Sequence, residues 1–197
     1  MADPLAGRVA AILCTGTAVD RAIAMALAGA GADIALGTFA AQQEFAVASI
    51  ANEVWAVGRE QFSRVLEASD PAALAAFAAE TVDRLGRCDL LVVSSGAAPA
   101  PSPEETSAEE WGGSVFMGLT IPFLAVHAYQ PVIERDGGGW VALVGGEGQG
   151  LVESVTRAGR NELAVRLSEA WAARAVRVVS LDSSRAAAEI LRIAERA

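Results

Sequence analysis

The chain alternates short apolar runs with longer stretches of helical periodicity, and this alternation restricts its fold more than any other feature. The apolar runs predict strands at residues 9–13, 33–36, 62–66, 89–93, 140–144 and 176–180. The other stretches predict helices at about residues 20–29, 41–57, 71–85, 107–134, 154–174 and 184–197, the first ending at Gly29 or Gly31. Strands that alternate with helices form a parallel sheet covered by helices on both faces. With 53% hydrophobic residues, the chain is predicted to form a single α/β domain over residues 1–197.

Three positions mark where helices begin or bend. Asp20 is a predicted N-cap, since an aspartate accepts hydrogen bonds from the free amides of a first helical turn. Asp70 followed by Pro71 predicts another helix start, because proline needs no amide donor there. Pro122 lies inside the long apolar pattern of residues 107–134. We expect a kink at Pro122, because proline removes a helical hydrogen bond.

The charge of the chain argues against several classes of partner. It has 15 basic and 24 acidic residues, for a formal net charge of -9. That sign is wrong for binding a nucleic-acid backbone or an anionic membrane surface. The sequence also has no uninterrupted apolar run of about 18 residues and no basic-then-apolar start. We therefore expect a cytoplasmic protein without a nucleic-acid or membrane partner.

The cysteines and the histidine carry little functional signal. Cys14 is predicted to follow the first strand and Cys88 to precede the fourth, so in a parallel sheet they lie at opposite ends. We interpret both as small buried hydrophobic residues. His127 is interpreted as a helix-surface or packing residue. No metal site is expected, because no carboxylate cluster accompanies the histidine.

Four segments resemble the short-chain dehydrogenase/reductase family in order and spacing. LAGRVAAILCTG resembles its opening strand and turn, and GRCDLLVVSSGA its fourth strand and Asn-Asn-Ala-Gly loop. EEWGGSVFMGLTIPFLAV resembles its long interface helix, and RAVRVVSLD its sixth strand. The resemblance extends to about Asp182. It implies a Rossmann-like sheet of order 3-2-1-4-5-6, with nucleotide bound beyond the carboxyl ends of the strands.

The turn that binds the cofactor's pyrophosphate in active members is altered. After Gly16 the chain is about two residues shorter than the family pattern. Val19, Asp20 and Arg21 stand where the later glycines would lie. A carboxylate at the helix start would occupy and repel the anion site. The resemblance therefore implies that this chain binds no cofactor.

Other cofactor positions of the family survive only as traces. Thr38 aligns with the residue that binds the ribose, where many NAD-dependent members have an acid. Glu67 stands near the position that contacts adenine. Ser94 replaces the first asparagine of the fourth-strand loop, in which Gly96 is retained. A threonine can donate one hydrogen bond but lacks the paired carboxylate oxygens that hold two ribose hydroxyls.

The catalytic Asn, Ser, Tyr and Lys of the family have all been replaced. In active members the tyrosine exchanges a proton with the substrate, assisted by the lysine and serine. The aligned residues are Gly118 for the asparagine, Gly145 or Gly146 for the serine, Glu153 for the tyrosine and Arg157 for the lysine. The only tyrosine, Tyr129, lies on another helix. We expect no catalytic residue at these positions.

Glu153 and Arg157 are four residues apart, and two interpretations are open. They form either a surface ion pair, which we favour, or a new acid/base pair. A glutamate beside an arginine is a poor proton donor at neutral pH, and an arginine cannot act as a base. The acid/base interpretation would also need a cofactor-free chemistry.

The resemblance also implies that the chain lacks the family's substrate-binding loop and seventh strand. The edge of the sixth strand must then be covered, by the last helix or by a partner. The helices at about 107–134 and 154–174, through which members dimerise, are retained. Phe116, Val165 and Trp171 are candidates for the interface, although each is expected to face the sheet.

We hypothesise a pseudoenzyme that assembles with an active paralogue through these two helices, in a hetero-oligomer whose NAD(P) is bound by the partner. Some heteromeric family members combine an active with a degenerate subunit. The hydroxyacyl-CoA dehydrogenase of the benzylsuccinate pathway is one of them, and the chain looks like its degenerate subunit. Two alternatives are an NAD(P)-dependent oxidoreductase with displaced catalytic residues, such as Glu153, Arg157 or Ser94, and a homo-oligomeric ligand sensor.

Overall fold

One parallel sheet forms the centre of the molecule in the computed structural model, which describes residues 3–67, 70–95, 102–146 and 150–195. Its strands are β1 (Val9–Leu13), β2 (Asp33–Thr38), β3 (Gln61–Val65), β4 (Leu90–Ser94), β5 (Gly139–Gly145) and β6 (Val176–Asp182). Their order is β3-β2-β1-β4-β5-β6, and all neighbours are parallel. The predicted strand order and doubly wound fold are confirmed, with strand ends within two residues of prediction.

Helices cover both faces of the sheet. They are α1 (Ala18–Gly29), α2 (Glu44–Ala56), α3 (Pro71–Leu85), α4 (Ala108–Val115), α5 (Ile121–Arg135), α6 (Leu151–Trp171) and α7 (Ala186–Ala194). One core cluster joins the sheet to α1, α2 and α7, and the other joins it to α3, α5 and α6. Ile12 and Leu13 of β1 point to opposite clusters, as successive side chains of a strand must. Both are fully buried, which suits a strand covered on each side.

The predicted start of α1 was wrong by one helical turn. Thr17, not Asp20, is the N-cap, and Asp20 lies at the third helical position, where it completes a capping box with Thr17. The predicted cap at Asp70 is correct, since its side chain accepts a hydrogen bond from the Ala72 amide at 2.8 Å. Helix α6 begins at Leu151, three residues before the predicted residue 154.

The segment Ala108–Arg135 is interrupted just before Pro122. A π-helical turn over Phe116–Thr120 joins α4 to α5, and Pro122 lies in the first turn of α5. By length and composition alone this segment could cross a membrane, with a mean hydropathy of 1.3 over its most apolar 18 residues. Its buried residues, including Ile121, Val126 and Ile133, belong to the core between α3, α6 and the sheet. Packing within the domain thus accounts for part of its apolar character, since 44% of that 18-residue window is buried.

Both cysteines are buried, as predicted, at opposite ends of neighbouring strands. Cys14 follows β1 and Cys88 precedes β4. Burial raises the pKa of each thiol to about 12. His127 is exposed on α5, where its ring lies 6.3 Å from the ring of Phe123.

We expect the chain to lose stability in alkaline solution as these thiols ionise. Their pKa in the folded state lies above the value of about 8.5 in an unfolded chain. The stabilisation from neutral buried thiols is therefore complete below about pH 8.5 and declines as the pH rises towards the folded pKa, by at most about 1.4 kcal/mol per pH unit for each thiol. Urea denaturation from neutral pH to about pH 11 measures this slope. Cys88→Ala should reduce the slope, and an unchanged slope would contradict the assignment.

The outer edge of β6 is closed in part by a side chain of α6. Ser168 donates its hydroxyl hydrogen to the Val178 carbonyl at 2.7 Å and accepts from the Val178 amide at 2.8 Å. The last helix was one of two expected covers, but α7 packs with α1 on one face, where Ala186 and Ile190 join the core. Ser168 therefore satisfies the backbone of one edge residue from within the chain.

Ser168→Ala should expose this part of the edge. Because the Val178 amide and carbonyl lose their shared partner, we expect the free energy of unfolding to fall by about 1–2 kcal/mol. We also expect the variant to self-associate more than the wild type. Urea denaturation and light scattering measure the two effects. Ser49→Ala, at an exposed position of α2, is the control and should change stability by less than about 0.5 kcal/mol. Equal behaviour of both variants would show that the edge does not depend on Ser168.

Candidate functional site

The carboxyl ends of β1, β4 and β5 surround a cavity of about 170 Å³. It is lined by Thr15, Thr17, Val19, Ser94, Val144, Gly145, Gly146 and Ser183. In an open parallel sheet this edge, at the point where strand order reverses, is where ligands bind. The volume is below the range of roughly 300–1,000 Å³ usual for ligand pockets.

A carboxylate of the chain itself occupies the turn between β1 and α1. Asp20 is fully buried. Its Oδ2 accepts hydrogen bonds from the amides of Thr17 at 2.8 Å and Thr15 at 3.2 Å. The Thr17 hydroxyl donates to the same oxygen at 2.8 Å, and the Thr15 hydroxyl lies 3.4 Å from it. Gly16, with φ of +81°, allows the chain to reverse between the two threonines.

This arrangement does not fit a cofactor pyrophosphate. Backbone amides at a helix start bind anions because they carry the positive end of the helix dipole. Here those of Thr15 and Thr17 are directed at Asp20. The charge of Asp20 is also the second cause, after burial, of the raised pKa of Cys14. A second anion would have to displace the Asp20 carboxylate or approach it closely.

The neighbouring ribose position is also closed. Thr38 is buried, and its hydroxyl donates to the Gln43 side-chain oxygen at 2.6 Å. A Cβ atom at Gly16 would lie 2.7 Å from the Cβ of Ala46, so α2 packs directly on the turn. The Thr38 hydroxyl, which the sequence analysis considered as a donor to a ribose, thus donates to Gln43 instead.

The two remaining traces of the cofactor site are only partly described. Glu67 follows the end of β3, and Ser94 ends β4 and lines the cavity. Gly96, retained from the family's loop, lies outside the described residues.

The glycines at the catalytic positions leave space that other side chains fill. A Cβ at Gly145 would lie only 1.7 Å from Nη2 of Arg160. A Cβ at Gly146 would approach Oε2 of Glu153 to 3.1 Å, and one at Gly118 would lie 2.8 Å from Cγ2 of Thr156. Any residue larger than glycine at position 145, the family's serine included, would collide with the Arg160 guanidinium.

The expected surface pair of Glu153 with Arg157 was wrong. Glu153 is buried at 5% exposure and pairs with Arg160, which is 1% exposed, at 2.8 Å between Oε1 and Nη2. Arg157 is half-buried and makes no ion pair within the described part of the chain. Residues seven apart lie two helical turns apart on one face, so the spacing of Glu153 and Arg160 was the available signal. Sequence reasoning missed it because it followed the family's Tyr-Lys spacing.

The buried pair has few means to do chemistry. Within the described residues, Nε and Nη1 of Arg160 have no hydrogen-bond partner. An arginine does not release its proton in proteins. Tyr129 is remote from the pair: its hydroxyl lies 3.2 Å from that of Thr81, and burial raises its pKa well above the usual value. The Glu153 carboxylate is thus engaged by the Arg160 guanidinium inside the core.

A family sequence model described as Enoyl-(Acyl carrier protein) reductase matches residues 16–187. The chain belongs to the short-chain dehydrogenase/reductase family. A short-chain dehydrogenase/reductase of Armillaria gallica is 30% identical over 134 residues, which are 68% of this chain and 51% of the relative. Subunit BbsC of (2S)-[(R)-hydroxy(phenyl)methyl]succinyl-CoA dehydrogenase from Thauera aromatica is 31% identical over 136 residues, 68% of this chain and 53% of the subunit. The chain thus spans about half the length of these two relatives.

Solved short-chain dehydrogenase/reductase structures share the fold. A metagenomic oxidoreductase in complex with NADP has a TM-score of 0.86 at 23% identity, covering 98% of this chain and 93% of that one. A hydroxysteroid dehydrogenase from Escherichia coli has a TM-score of 0.80 at 21% identity, covering 91% and 74%. The NADP complex belongs to that oxidoreductase, and at these identities the likeness shows the fold alone.

For this short-chain dehydrogenase/reductase, we expect Glu153→Ala to be far more damaging than Arg157→Ala. The first variant leaves the Arg160 charge buried without its partner, which should cost about 3–5 kcal/mol of unfolding free energy. The second removes a half-buried arginine without an ion pair and should cost about 0.5 kcal/mol or less. Urea denaturation distinguishes them. Similar losses for both would contradict the structural importance of the Glu153–Arg160 pair.

Proposed function

We propose that this short-chain dehydrogenase/reductase is a non-catalytic subunit that assembles with an active, NAD(P)-dependent paralogue and supports its structure or activity. The observation that carries the proposal is the buried Glu153–Arg160 pair, which fills the position of the family's serine and replaces its tyrosine. Loss of a catalytic residue alone would leave an empty site. Here the space has been rebuilt as part of the core, which favours a structural role.

In this proposal the NAD(P) of the complex is bound by the partner. Asp20 in the pyrophosphate turn and the Thr38–Gln43 hydrogen bond support that assignment, because both use groups that a dinucleotide would need. When bound in an active subunit, NAD(P) supplies hydride transfer. This chain would contribute shape and contact surface instead. A cytoplasmic location is part of the same proposal.

The proposed contact surface is the outer side of α4, α5 and α6. Five large apolar side chains there are between 38% and 50% exposed, namely Trp111, Phe123, Leu151, Val155 and Val165. Val165 was expected to face the sheet, and that prediction was wrong. Phe116 and Trp171 are half-buried against the core, as predicted. Exposed apolar side chains on neighbouring helices are typical of interaction surfaces.

The Thauera aromatica relative gives the proposal a concrete candidate. Its name describes it as one subunit of a dehydrogenase that acts on (2S)-[(R)-hydroxy(phenyl)methyl]succinyl-CoA. We propose that this chain belongs to a heteromeric hydroxyacyl-CoA dehydrogenase of similar organisation. A homo-oligomeric ligand sensor is the second candidate. The polar residues Thr15, Thr17, Ser94 and Ser183 around the cavity favour it, although at 170 Å³ the cavity would hold only a small ligand.

Purification of the tagged chain from its native host tests the proposal. We expect an equimolar full-length family member to co-purify, identified by mass spectrometry, with the mass of the complex given by light scattering. Dehydrogenase activity should require the partner's catalytic tyrosine and be unaffected by Arg157→Ala in this chain. A chain recovered alone, or as a homo-oligomer, would contradict the proposal and favour the sensor.

A pair of phenylalanine variants tests the contact surface. Phe123→Glu places a charge at a 47% exposed position of α5 and should weaken the complex at least tenfold, since the charge would have to be buried. Phe45→Glu, at an 88% exposed position of α2, is the matched control and should leave affinity unchanged. Affinity is measured by titration of purified subunits. The reverse result would place the partner on α2.

A further inference from the structure

We infer that the Asp20 carboxylate is a built-in substitute for a bound phosphate group, and that its removal opens the turn after β1 to phosphate anions. The geometry is that of a carboxylate held as a ligand. Two backbone amides and the Thr17 hydroxyl converge on one oxygen of Asp20 at 2.8–3.2 Å, with the Thr15 hydroxyl at 3.4 Å. Backbone amides and hydroxyls at a helix start are the donors that bind phosphate in proteins.

An ordinary capping box does not explain all of these contacts. The chain provides a direct comparison at α4, where Ser107 and Glu110 form the same box. There the carboxylate is exposed and accepts only from the amide and hydroxyl of Ser107. Asp20 is fully buried and also accepts from the Thr15 amide, which lies before the N-cap. Burial and this additional donor distinguish Asp20 from a helix cap.

The other oxygen of the carboxylate points to an imperfect substitution. Oδ1 of Asp20 is buried and has no hydrogen-bond partner within the described residues. A buried, charged oxygen without a donor is energetically unfavourable. The donors of this turn therefore engage one oxygen of the carboxylate, and the same amides and hydroxyls become available to a free anion once Asp20 is removed.

The site is accessible once the carboxylate is removed. Thr15 and Thr17 line the cavity at the carboxyl edge of the sheet, so the space left by the Asp20 side chain would adjoin that cavity. The positive end of the α1 dipole remains at the turn, and the negative charge of Asp20 no longer opposes an incoming anion there. The opened site then favours phosphate or pyrophosphate over a monovalent anion such as chloride.

Thermal unfolding of the full-length chain with inorganic pyrophosphate tests the inference. Asp20→Ala should melt several degrees below the wild type, and millimolar pyrophosphate should recover much of that loss by binding only the folded state. Pyrophosphate should not raise the melting temperature of the wild type, because Asp20 still occupies the turn. It should not raise that of Glu110→Ala either, because Glu110 is an exposed helix cap. Sodium chloride at matched ionic strength should have no such effect on any of the three proteins.

Any of three responses to pyrophosphate would overturn the inference. These are a wild-type response equal to that of Asp20→Ala, no response of Asp20→Ala, or an equal response of Glu110→Ala. If Asp20→Ala does not fold in anion-free buffer, refolding in pyrophosphate should restore its circular dichroism spectrum, and failure to do so also overturns it. The outcome is independent of a partner subunit, since every measurement uses the isolated chain.

Discussion

A carboxylate removed from water must find its hydrogen-bond donors or its counter-charge inside the fold, and the sheet of this protein is held at both ends by such groups. Asp89 joins the amino ends of β1 and β4, since it accepts from the Val9 amide at 3.0 Å and pairs with Arg8 and Arg87. At the carboxyl ends, Asp20 closes the turn into α1, and Glu153 holds Arg160 against β5. Each is buried at 6% exposure or less. Their requirement for partners fixes the positions of the surrounding turns and helices.

The two carboxylates at the carboxyl edge lie where this fold binds its ligands. Asp20 engages the Thr15 and Thr17 amides in the turn after β1, and the Glu153–Arg160 pair packs against Gly145 and Gly146 at the end of β5. In both places the space is filled by side chains of the chain itself. The cost of burying these charges is offset only while the partners stay together, so the edge is stabilised as a closed structure. This closure is the physical basis for proposing a supporting role.

Much of the fold followed from local pattern. Apolar runs predicted every strand, and Asp70 with Pro71 predicted the start of α3, because period and capping chemistry are local properties. The site was harder to predict. The sequence analysis placed Asp20 near the start of α1 and predicted it as the N-cap. Thr17 is an equally suitable capping residue, and only the path of the turn shows that Thr17 is the cap. Glu153 was paired with Arg157, as helical spacing allows, whereas burial selected Arg160.

The sequence by itself determined the parallel sheet and, through the family resemblance, its strand order. It also predicted that Gly118, Gly145 or Gly146, Glu153 and Arg157 stand at the family's catalytic positions. These depend on residue type and on spacing along the chain. Only the tertiary structure decided what fills the vacated space: Arg160 against Gly145, and the Thr15 amide on Asp20. Such contacts depend on how far a helix or turn lies from a strand end. That distance results from packing of the whole core, which no local segment encodes.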